Sequence, residues 1–315
     1  MSSAPTPAVS VIIPAYGVTL YIAEALDSVL AQTYTDFELI VVNDGCPDTA
    51  ALEAVLRPYI DRIVYVKKEN GGVSSARNAG IRIARAPLIA LLDGDDAWMP
   101  DYLAVQTDFL RNHPQTDIVY SNGVAFGDPR HAGHLAMDLS PSYGEVNFES
   151  LVSCRCSVMS SVLARKAAIL AVGGFDESLR RAEDFDLWVR AAHAGIKISY
   201  HERVIFRHRN RNSGLSADPA AMRESALVAL EKLSQTLSLS AAEKSALAKA
   251  QRAFRTEVIY YRMMDALHAH DASAALSELR QLLRARWTLK HALLGIGLRC
   301  APQLTLRIAD RRARA

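Results

Sequence analysis

Short β-branched runs alternate with helical patterns from Val9 onward, and this alternation constrains the fold more than any other feature of the sequence. Such alternation is typical of βαβ units and of a mostly parallel, buried sheet. We predict strands at residues 10–13, 39–42, 63–66, 88–92 and 118–120, separated by helices at 21–31, 49–56, 73–84 and 102–112. Right-handed crossovers bring the carboxyl ends of these strands to one edge, where ligands bind in open α/β sheets.

The second half of the chain changes character twice. Residues 123–143 are rich in Gly, Pro, His and Ser, which predicts a flexible or substrate-covering loop. Beyond it we predict a strand at 158–163, a helix from Lys166, a helix at 184–194, and strands at 196–200 and 204–207. From Pro219 onward Ala and Leu recur at helical spacing. The expected organisation is a disordered tail at 1–8, an α/β domain at 9–215 with halves 9–122 and 123–215, and a helical extension at 216–315.

Composition and charge narrow the classes of partner. Half of the 315 residues are hydrophobic and 22% are charged, as in folded proteins, and the formal net charge of +2 is too small for a general nucleic-acid binder. Four scattered cysteines do not make a disulfide framework. No apolar run approaches the roughly 18 residues of a membrane-spanning helix, and the first residues lack a signal-peptide pattern. We therefore expect a cytoplasmic protein.

The last 35 residues are strongly basic. Eight Lys and Arg residues against Asp310 give residues 281–315 a formal charge of +7. The helical pattern has one apolar side and one basic side, made respectively by Leu282, Leu289, Leu293 and Ile296 and by Arg286, Lys290 and His291. This segment either lies on the anionic inner face of the cell membrane or forms the solvated face of a packed helix.

Three carboxylates, Asp93, Asp95 and Asp96, follow the predicted strand at 88–92. At a strand end they repel one another unless a cation or several hydrogen-bond donors compensate them, and hard oxygen ligands suit Mg²⁺ or Mn²⁺. Because Mg²⁺ commonly fills its remaining positions with water and phosphate oxygens, the cluster indicates a phosphate-bearing ligand. Alternatively, Asp96 only caps the turn before Pro100.

Two further strand ends carry aromatic or polar side chains. Tyr16 could stack on a planar base, and Asp44 could accept a hydrogen bond from an N–H of that base. Arg77, about one turn inside the helix predicted after two glycines, offers a planar fork for a phosphate or a carboxylate. The two strand ends have structural alternatives, since the Asn-Asp-Gly sequence around Asp44 is a good turn and Pro14, next to Tyr16, can simply end a strand.

Together these segments resemble the family 2 glycosyltransferases. The stretches VSVIIPAYG, QTYTDFELIVVNDGCPD, NGGVSSARNAGI and LIALLDGDDAW follow the family's order and spacing, and a further match near Glu183 extends the likeness to about residue 215. The resemblance implies the GT-A fold, a Rossmann-like α/β sheet, and inverting transfer of a sugar from a nucleotide diphosphate, with a UDP-sugar favoured. It also implies Mn²⁺ or Mg²⁺ as cofactor and a cell-surface glycan or lipid-linked acceptor.

The resemblance assigns residues to the nucleoside pocket. Pro14, Ala15 and Tyr16 match the first-strand motif that lines this pocket. Asp44 matches the second acid of the family's Asp-Asp-Gly-Ser motif, which contacts the base. Asn43 stands where the family has the first acid, and a cysteine replaces the serine.

The resemblance also assigns the reacting groups. Arg77 matches an arginine near the diphosphate, Asp93 an acid near the ribose and the metal, and Asp95 the direct metal ligand. Asp184 matches the base that deprotonates the acceptor hydroxyl, and Glu183 would hold the acceptor.

A later stretch is similar to the family's Tyr-Arg-x-His motif, with the histidine shifted by one position. His208 is therefore either a third metal ligand or a strand histidine without a catalytic role. Arg207 and Arg209 could neutralise the leaving diphosphate.

Three rival functions account for fewer of these residues. A sugar nucleotidyltransferase is expected to carry a glycine-rich basic loop after its first strand, and the stretch PAYG is not such a loop. A glycoside hydrolase using Asp95 and Asp184 leaves Asp44 and Arg77 unexplained. A non-catalytic sugar-nucleotide-binding protein would have no use for the base Asp184.

Overall fold

The structure, a computed structural model, describes residues 5–129, 131–211, 218–285 and 289–303. The chain divides into two units, Met1–Ser213 and Gly214–Ala315. Of the tail predicted at residues 1–8, residues 1–4 lie outside the described part, and the first strand begins at Val9.

The first unit is built on an eight-stranded sheet. The strands are β1 Val9–Ala15, β2 Phe37–Asp44, β3 Val64–Lys68, β4 Leu88–Leu91, β5 Ala97–Trp98, β6 Ile118–Gly127, β7 Val162–Arg165 and β8 Ile198–Asn210. Their order is β3-β2-β1-β4-β7-β6-β8-β5, and β5 and β7 run antiparallel to their neighbours while the other pairs are parallel. The predicted mostly parallel α/β sheet is confirmed.

Helices cover both faces of this sheet. They are α1 Ile22–Leu30, α2 Thr49–Leu56, α3 Val73–Ile83, α4 Tyr102–Asn112, α5 Ala136–Leu139, α6 Phe148–Val152, α7 Lys166–Ala171 and α8 Glu183–His193. In α1 the apolar residues Ile22, Leu26 and Val29 recur at helical spacing and are fully buried in the core. In β1 successive residues from Val9 to Ile13 are all buried, as expected for a parallel strand covered on both faces.

The loop predicted from residue 123 begins later than expected. β6 continues to Gly127, which pairs with Asn210 of β8. A Cβ at Gly123 would lie 2.5 Å from the Phe206 ring, so this glycine makes room for a packed aromatic side chain inside the strand. The prediction was wrong here because a glycine that relieves crowding looks the same in sequence as one that forms a loop.

β8 is one strand where two were predicted. Its register against β6 shifts between Ser121 and Gly123, so an irregularity absorbs the extra residues without ending the strand. This continuity carries residues 207–210 of β8 past that irregularity to the carboxyl edge of the sheet. The preceding strand, β7, begins at Val162 rather than at residue 158.

The second unit contains four described helices. These are α9 Pro219–Thr236, α10 Ala241–His268, α11 Ala272–Ala285 and α12 Leu289–Cys300, which confirms the predicted helical character. The side chain of Asp218 caps α9, and Ser240 with Glu243 forms a capping box for α10. None of the helices within the described ranges is long and apolar enough to cross a bilayer.

Candidate active site

The acidic turn, residues 93–96, follows β4 at the carboxyl edge of the sheet. The amide of Asp96 donates to the carbonyl oxygen of Asp93 at 3.0 Å and closes the turn. A Cβ at Gly94 would lie 3.0 Å from the carbonyl oxygen of Pro14, so a glycine here allows the end of β1 to approach closely. The structure thus brings these two predicted strand ends together.

The end of β1 leaves an aromatic ring accessible. Ala15 is fully buried, whereas Tyr16 is 50% exposed. Gly17 has a φ of +63°, and its amide donates to the Sγ of Cys46 at 3.2 Å, which ties the end of β1 to the end of β2. The ring of Tyr16 is therefore available to a stacking partner beside the turn.

Asp44 braces the loop that precedes α3. Its carboxylate accepts hydrogen bonds from the amides of Gly71 at 3.0 Å and Gly72 at 2.8 Å, and from the ammonium group of Lys68 at 2.6 Å. The Asp44 side chain is 2% exposed. Sequence reasoning placed Asp44 at the site but missed Lys68, whose contact with Asp44 depends on the pairing of β2 with β3.

The end of β2 packs against the same loop. Gly45 has a φ of +65°, and a Cβ there would lie 2.6 Å from the backbone nitrogen of Asn70. The buried Asn43 accepts from the amide of Cys46 at 2.9 Å and donates to the hydroxyl of Tyr65 at 2.8 Å. Asn43 therefore stabilises this turn from the position where the family has an acid.

Arg77 joins the acidic turn to the start of α8. Its Nη2 donates to Asp93 at 2.6 Å, its Nη1 donates to Glu183 at 2.7 Å, and its guanidinium lies 5.2 Å from the centre of the Phe175 ring. Burial disfavours the charge of Arg77, but Asp93, Glu183 and Asp184 outweigh it and raise the pKa of Arg77 above its usual value. Its Nε is buried and has no hydrogen-bond partner among the described residues.

Arg77 also affects the pKa of Asp93 on the acidic turn. Burial would raise the pKa of Asp93, but the charge and hydrogen bond of Arg77 outweigh it and lower this pKa. Asp93 is therefore ionised at neutral pH.

Glu183 and Asp184 occupy the first turn of α8. Burial, followed by the charge of Asp184, raises the pKa of Glu183 to about 7 against the opposing effect of Arg77. Burial also raises the pKa of Asp184, whose Oδ1 accepts from the amide of Phe185 at 2.7 Å. A carboxylate with a raised pKa is a better proton acceptor, so this pair is suited to general base chemistry.

Three arginines at the end of β8, Arg207, Arg209 and Arg211, form an arginine row. Arg207 and Arg209 both donate to Glu24 of α1, and each guanidinium lies 4.1 Å from the centre of the Phe126 ring. Sequence reasoning found Arg207 and Arg209 but missed Arg211 and Glu24. Residues two apart on a strand share a face, so the spacing could have revealed Arg211 but not the acid on α1.

Arg211 pairs with Asp95. Its Nε lies 2.7 Å from the Asp95 carboxylate. Burial, followed by the charges of Asp96 and Asp93, raises the pKa of Asp95 to about 6 in spite of Arg211. The acidic turn therefore holds an excess of negative charge around Asp95.

His208 faces Asp96. Its Nδ1 lies 3.1 Å from the Asp96 carboxylate, which also accepts from the amide of Arg209 at 2.7 Å. Burial would lower the pKa of His208, but the charges of Asp96, Asp93 and Asp95 raise it to about 9. In this arrangement the Nδ1 of His208 is engaged by Asp96, and the choice between a metal ligand and a strand histidine stays a prediction.

The comparisons with known proteins agree with the motifs. The family described as Glycosyl transferase family 2 matches residues 10–168, which is half of the chain. The chain belongs to glycosyl transferase family 2. A protein of Rickettsia prowazekii described as an uncharacterized glycosyltransferase is 34% identical over 208 residues, covering 64% of this chain and 63% of that protein. The alignment thus spans less than two thirds of this relative's length.

Two solved structures share the fold of this family 2 chain. S. aureus TarS 1-349 in complex with UDP-GlcNAc has a TM-score of 0.61 at 17% identity, covering 97% of this chain and 91% of that chain. The mannosyltransferase PcManGT from Pyrobaculum calidifontis in complex with GDP-Man and Mn²⁺ has a TM-score of 0.62 at 19% identity, covering 98% and 87%. These likenesses establish the GT-A fold.

The acidic turn of this family 2 chain has carboxylates of the kind that bind a divalent ion. Across the described residues, no group of three or more His, Cys, Asp and Glu side chains is arranged to hold a metal. The three predicted ligands Asp93, Asp95 and His208 each have a different charged partner, and their role as metal ligands stays a prediction. Asp93 and Asp95 fit a hard cation whose remaining ligands are phosphate oxygens, because Mg²⁺ commonly binds only one or two carboxylates. The neighbouring charges of Asp93, Asp95 and Asp96 also favour a cation at this turn.

Proposed function

We propose that the chain is an inverting, metal-dependent glycosyltransferase. It would move a sugar from a nucleotide-diphosphate donor, with a UDP-sugar favoured, to a hydroxyl of a cell-surface glycan or of a lipid-linked acceptor. The observation that carries the proposal is the contact of Arg77 with both Asp93 and Glu183, because it brings the turn after β4 against the acids of α8. Family membership supports transfer chemistry, and the fold neighbours that were solved with UDP-GlcNAc and GDP-Man support a nucleotide sugar.

Residues 9–122 are proposed to hold the donor. The exposed ring of Tyr16, beside Pro14 and Ala15, would stack on the base. Asp44 would contact the base and fix the neighbouring loop, and Asp93 would lie near the ribose. These assignments follow the family resemblance and agree with the position of all five residues at one sheet edge.

Residues at the diphosphate are proposed to supply positive charge. The Nε–H of Arg77 is buried and has no hydrogen-bond partner in the described part of the chain. This N–H could donate a hydrogen bond to a diphosphate oxygen of the nucleotide sugar. A divalent ion, Mn²⁺ or Mg²⁺, held by Asp95 and Asp93 would supply further positive charge to the phosphate oxygens. His208 is proposed to neutralise Asp96 rather than to bind the ion.

Residues 123–215 are proposed to act on the acceptor. Asp184 would take the proton of the acceptor hydroxyl as the oxygen bonds to the anomeric carbon. The bond between that carbon and the diphosphate oxygen breaks in the same step, and the nucleotide diphosphate leaves with the electron pair. Attack on the face opposite the leaving group inverts the anomeric centre. Glu183, fixed by Arg77, would hold the acceptor.

A panel of nucleotide sugars tests this function. With Mn²⁺ present, one donor should raise the melting temperature by mass action. Without an acceptor it should also be hydrolysed slowly by the protein, water taking the sugar as the nucleotide diphosphate leaves. If no nucleotide sugar stabilises the fold or is consumed, the proposed donor class is wrong. Activity that persists after exhaustive EDTA treatment would contradict the metal requirement alone.

The proposed location is the cytoplasm, at the inner face of the cell membrane. A lipid-linked acceptor would be reached there, and the +7 charge of residues 281–315 agrees with an anionic surface.

A further inference from the structure

The last described helix, α12, has one packed face and one open apolar face. Leu298 is 2% exposed and packs in a cluster with Leu279, and a Cβ at Gly295 would lie 3.3 Å from the Leu279 side chain. On the opposite side, Leu293 is 57% exposed and Ile296 is 58% exposed. Residues three apart lie on the same face of a helix, so these two side chains are neighbours in solvent.

The outer face of α12, defined as Leu293, Ile296 and Cys300, is unusual for a surface helix. Such helices normally bury one apolar stripe and present polar side chains on the opposite side. Here a second apolar stripe takes that position, and Cys300 is also exposed. A face of this composition needs a partner that is itself at least partly apolar.

The structure separates leucines that the sequence grouped together. Leu282 was expected on the same apolar side as Leu293 and Ile296, but it is 2% exposed and belongs to the core of the helical unit. The packing of α10, α11 and α12 therefore uses Leu282 for stability. Leu293 and Ile296 remain available for a partner.

The charge around this face indicates the kind of partner. Residues 281–315 carry eight basic residues and one acid, and the described Arg284 and Arg299 are exposed. Residues 286–288 and 304–315, with more of this positive charge, lie outside the described residues. On the described part of the helix, Arg299 lies one turn beyond Ile296, and exposed apolar side chains next to an exposed arginine are a combination that binds an anionic lipid surface.

We propose that the outer face of α12 docks on an anionic bilayer surface. Leu293 and Ile296 enter the boundary between headgroups and acyl chains, and Arg284 and Arg299 contribute attraction to the lipid phosphates. This contact would give the enzyme access to a lipid-linked acceptor, and that purpose rests on the proposed function. Binding to vesicles is measured without donor or acceptor, however, so the two proposals fail separately.

Co-sedimentation of the full chain with vesicles tests the docking. The wild type should bind vesicles of phosphatidylcholine mixed with phosphatidylglycerol, bind less as salt is raised, and fail to bind pure phosphatidylcholine. Replacing both exposed side chains, Leu293→Gln with Ile296→Gln, should weaken binding to the anionic vesicles about tenfold or more. Circular dichroism of the double variant should match the wild type, because both positions are exposed.

Val228→Gln is the matched control. Val228 is an exposed apolar residue of α9 at 54% exposure, so the same chemical change there should leave vesicle binding unaltered. Equal binding by the wild type and the double variant, or no binding by the wild type, would overturn the proposal. Dimerisation of the wild type in solution that the double variant abolishes, without vesicle binding, would show instead that a second copy covers this face.

Discussion

The guanidinium of Arg77 lies 2.7 Å from the carboxylate of Glu183, although 106 residues separate them in the chain. The same guanidinium holds Asp93 at 2.6 Å, and the Arg77 side chain is only 5% exposed. Charges removed from water are costly unless they are paired. This triad therefore fixes α3, the acidic turn and α8 in one arrangement, and the proposed donor and acceptor sides meet there.

Replacing Arg77 should destabilise the protein strongly. Arg77→Met leaves the partly exposed Asp93 and the buried Glu183 without their cation, and above pH 7, where Glu183 is ionised, we expect a loss of about 3–5 kcal/mol in the free energy of unfolding. Arg82→Met on the same helix is the control, because Arg82 is 61% exposed and its ion pair with Glu177 spans 3.8 Å. The control should change stability by less than about 1 kcal/mol in urea titrations. Similar losses in both variants would contradict the structural role of the triad.

Replacing Asp184 should separate donor binding from transfer. Asp184→Asn removes the proposed base while keeping the size of the side chain, so transfer should fall by about 10²–10⁴-fold. Affinity for the nucleotide sugar, measured by calorimetry, should stay close to that of the wild type. Asp108→Asn, at a half-exposed position, should preserve both. Turnover at the wild-type rate in Asp184→Asn would exclude Asp184 as the base.

The raised pKa of Glu183 predicts a pH dependence of stability. The folded state holds a proton on Glu183 up to about pH 7, whereas the unfolded state loses it near the ordinary value of 4.5. The free energy of unfolding should therefore fall as pH rises through this range. Glu183→Gln should reduce the fall by about 1–3 kcal/mol. Urea titrations across this range measure it, and an unchanged slope in the variant would refute the assignment.

Two glycines with nearly equal backbone angles should respond differently to alanine. Gly17→Ala, at a φ of +63° with no atom within 4 Å of the new Cβ, should cost about 1 kcal/mol of stability. Gly45→Ala, at +65°, places its Cβ 2.6 Å from the Asn70 backbone and should cost about 3 kcal/mol or more. Thermal denaturation compares them. Equal costs would mean that β2 and the loop before α3 do not pack as described.

Arg211 should compete with a divalent ion for Asp95. Arg211→Gln removes the ion pair at 2.7 Å, so Mn²⁺ should bind about fivefold more tightly in the absence of nucleotide. Electron paramagnetic resonance counts the free Mn²⁺ directly. Arg203→Gln removes an exposed ion pair with Asp101 and should leave Mn²⁺ affinity unchanged. An unchanged affinity in Arg211→Gln would contradict competition at Asp95.

The local part of the candidate site was accessible from the sequence. Asp93, Asp95 and Asp184 each follow or begin an element whose periodic pattern is visible in the printed chain, and the motifs around them identify the family. Contacts between distant segments were not accessible. Lys68 reaches Asp44 only through the pairing of β2 with β3. Glu24 reaches the arginine row only because α1 packs on β5, the strand that pairs with β8.

Hydrophobic periodicity and short motifs were enough to determine the α/β sheet, the helical second unit and the family, because these depend on residues that are close in sequence. Tertiary structure decided which charges meet. Arg77 pairs with Asp93 and Glu183, Arg211 pairs with Asp95, and His208 pairs with Asp96. The physical reason is that partner choice among buried charges depends on distances set by packing, and those distances are not encoded by spacing along the chain.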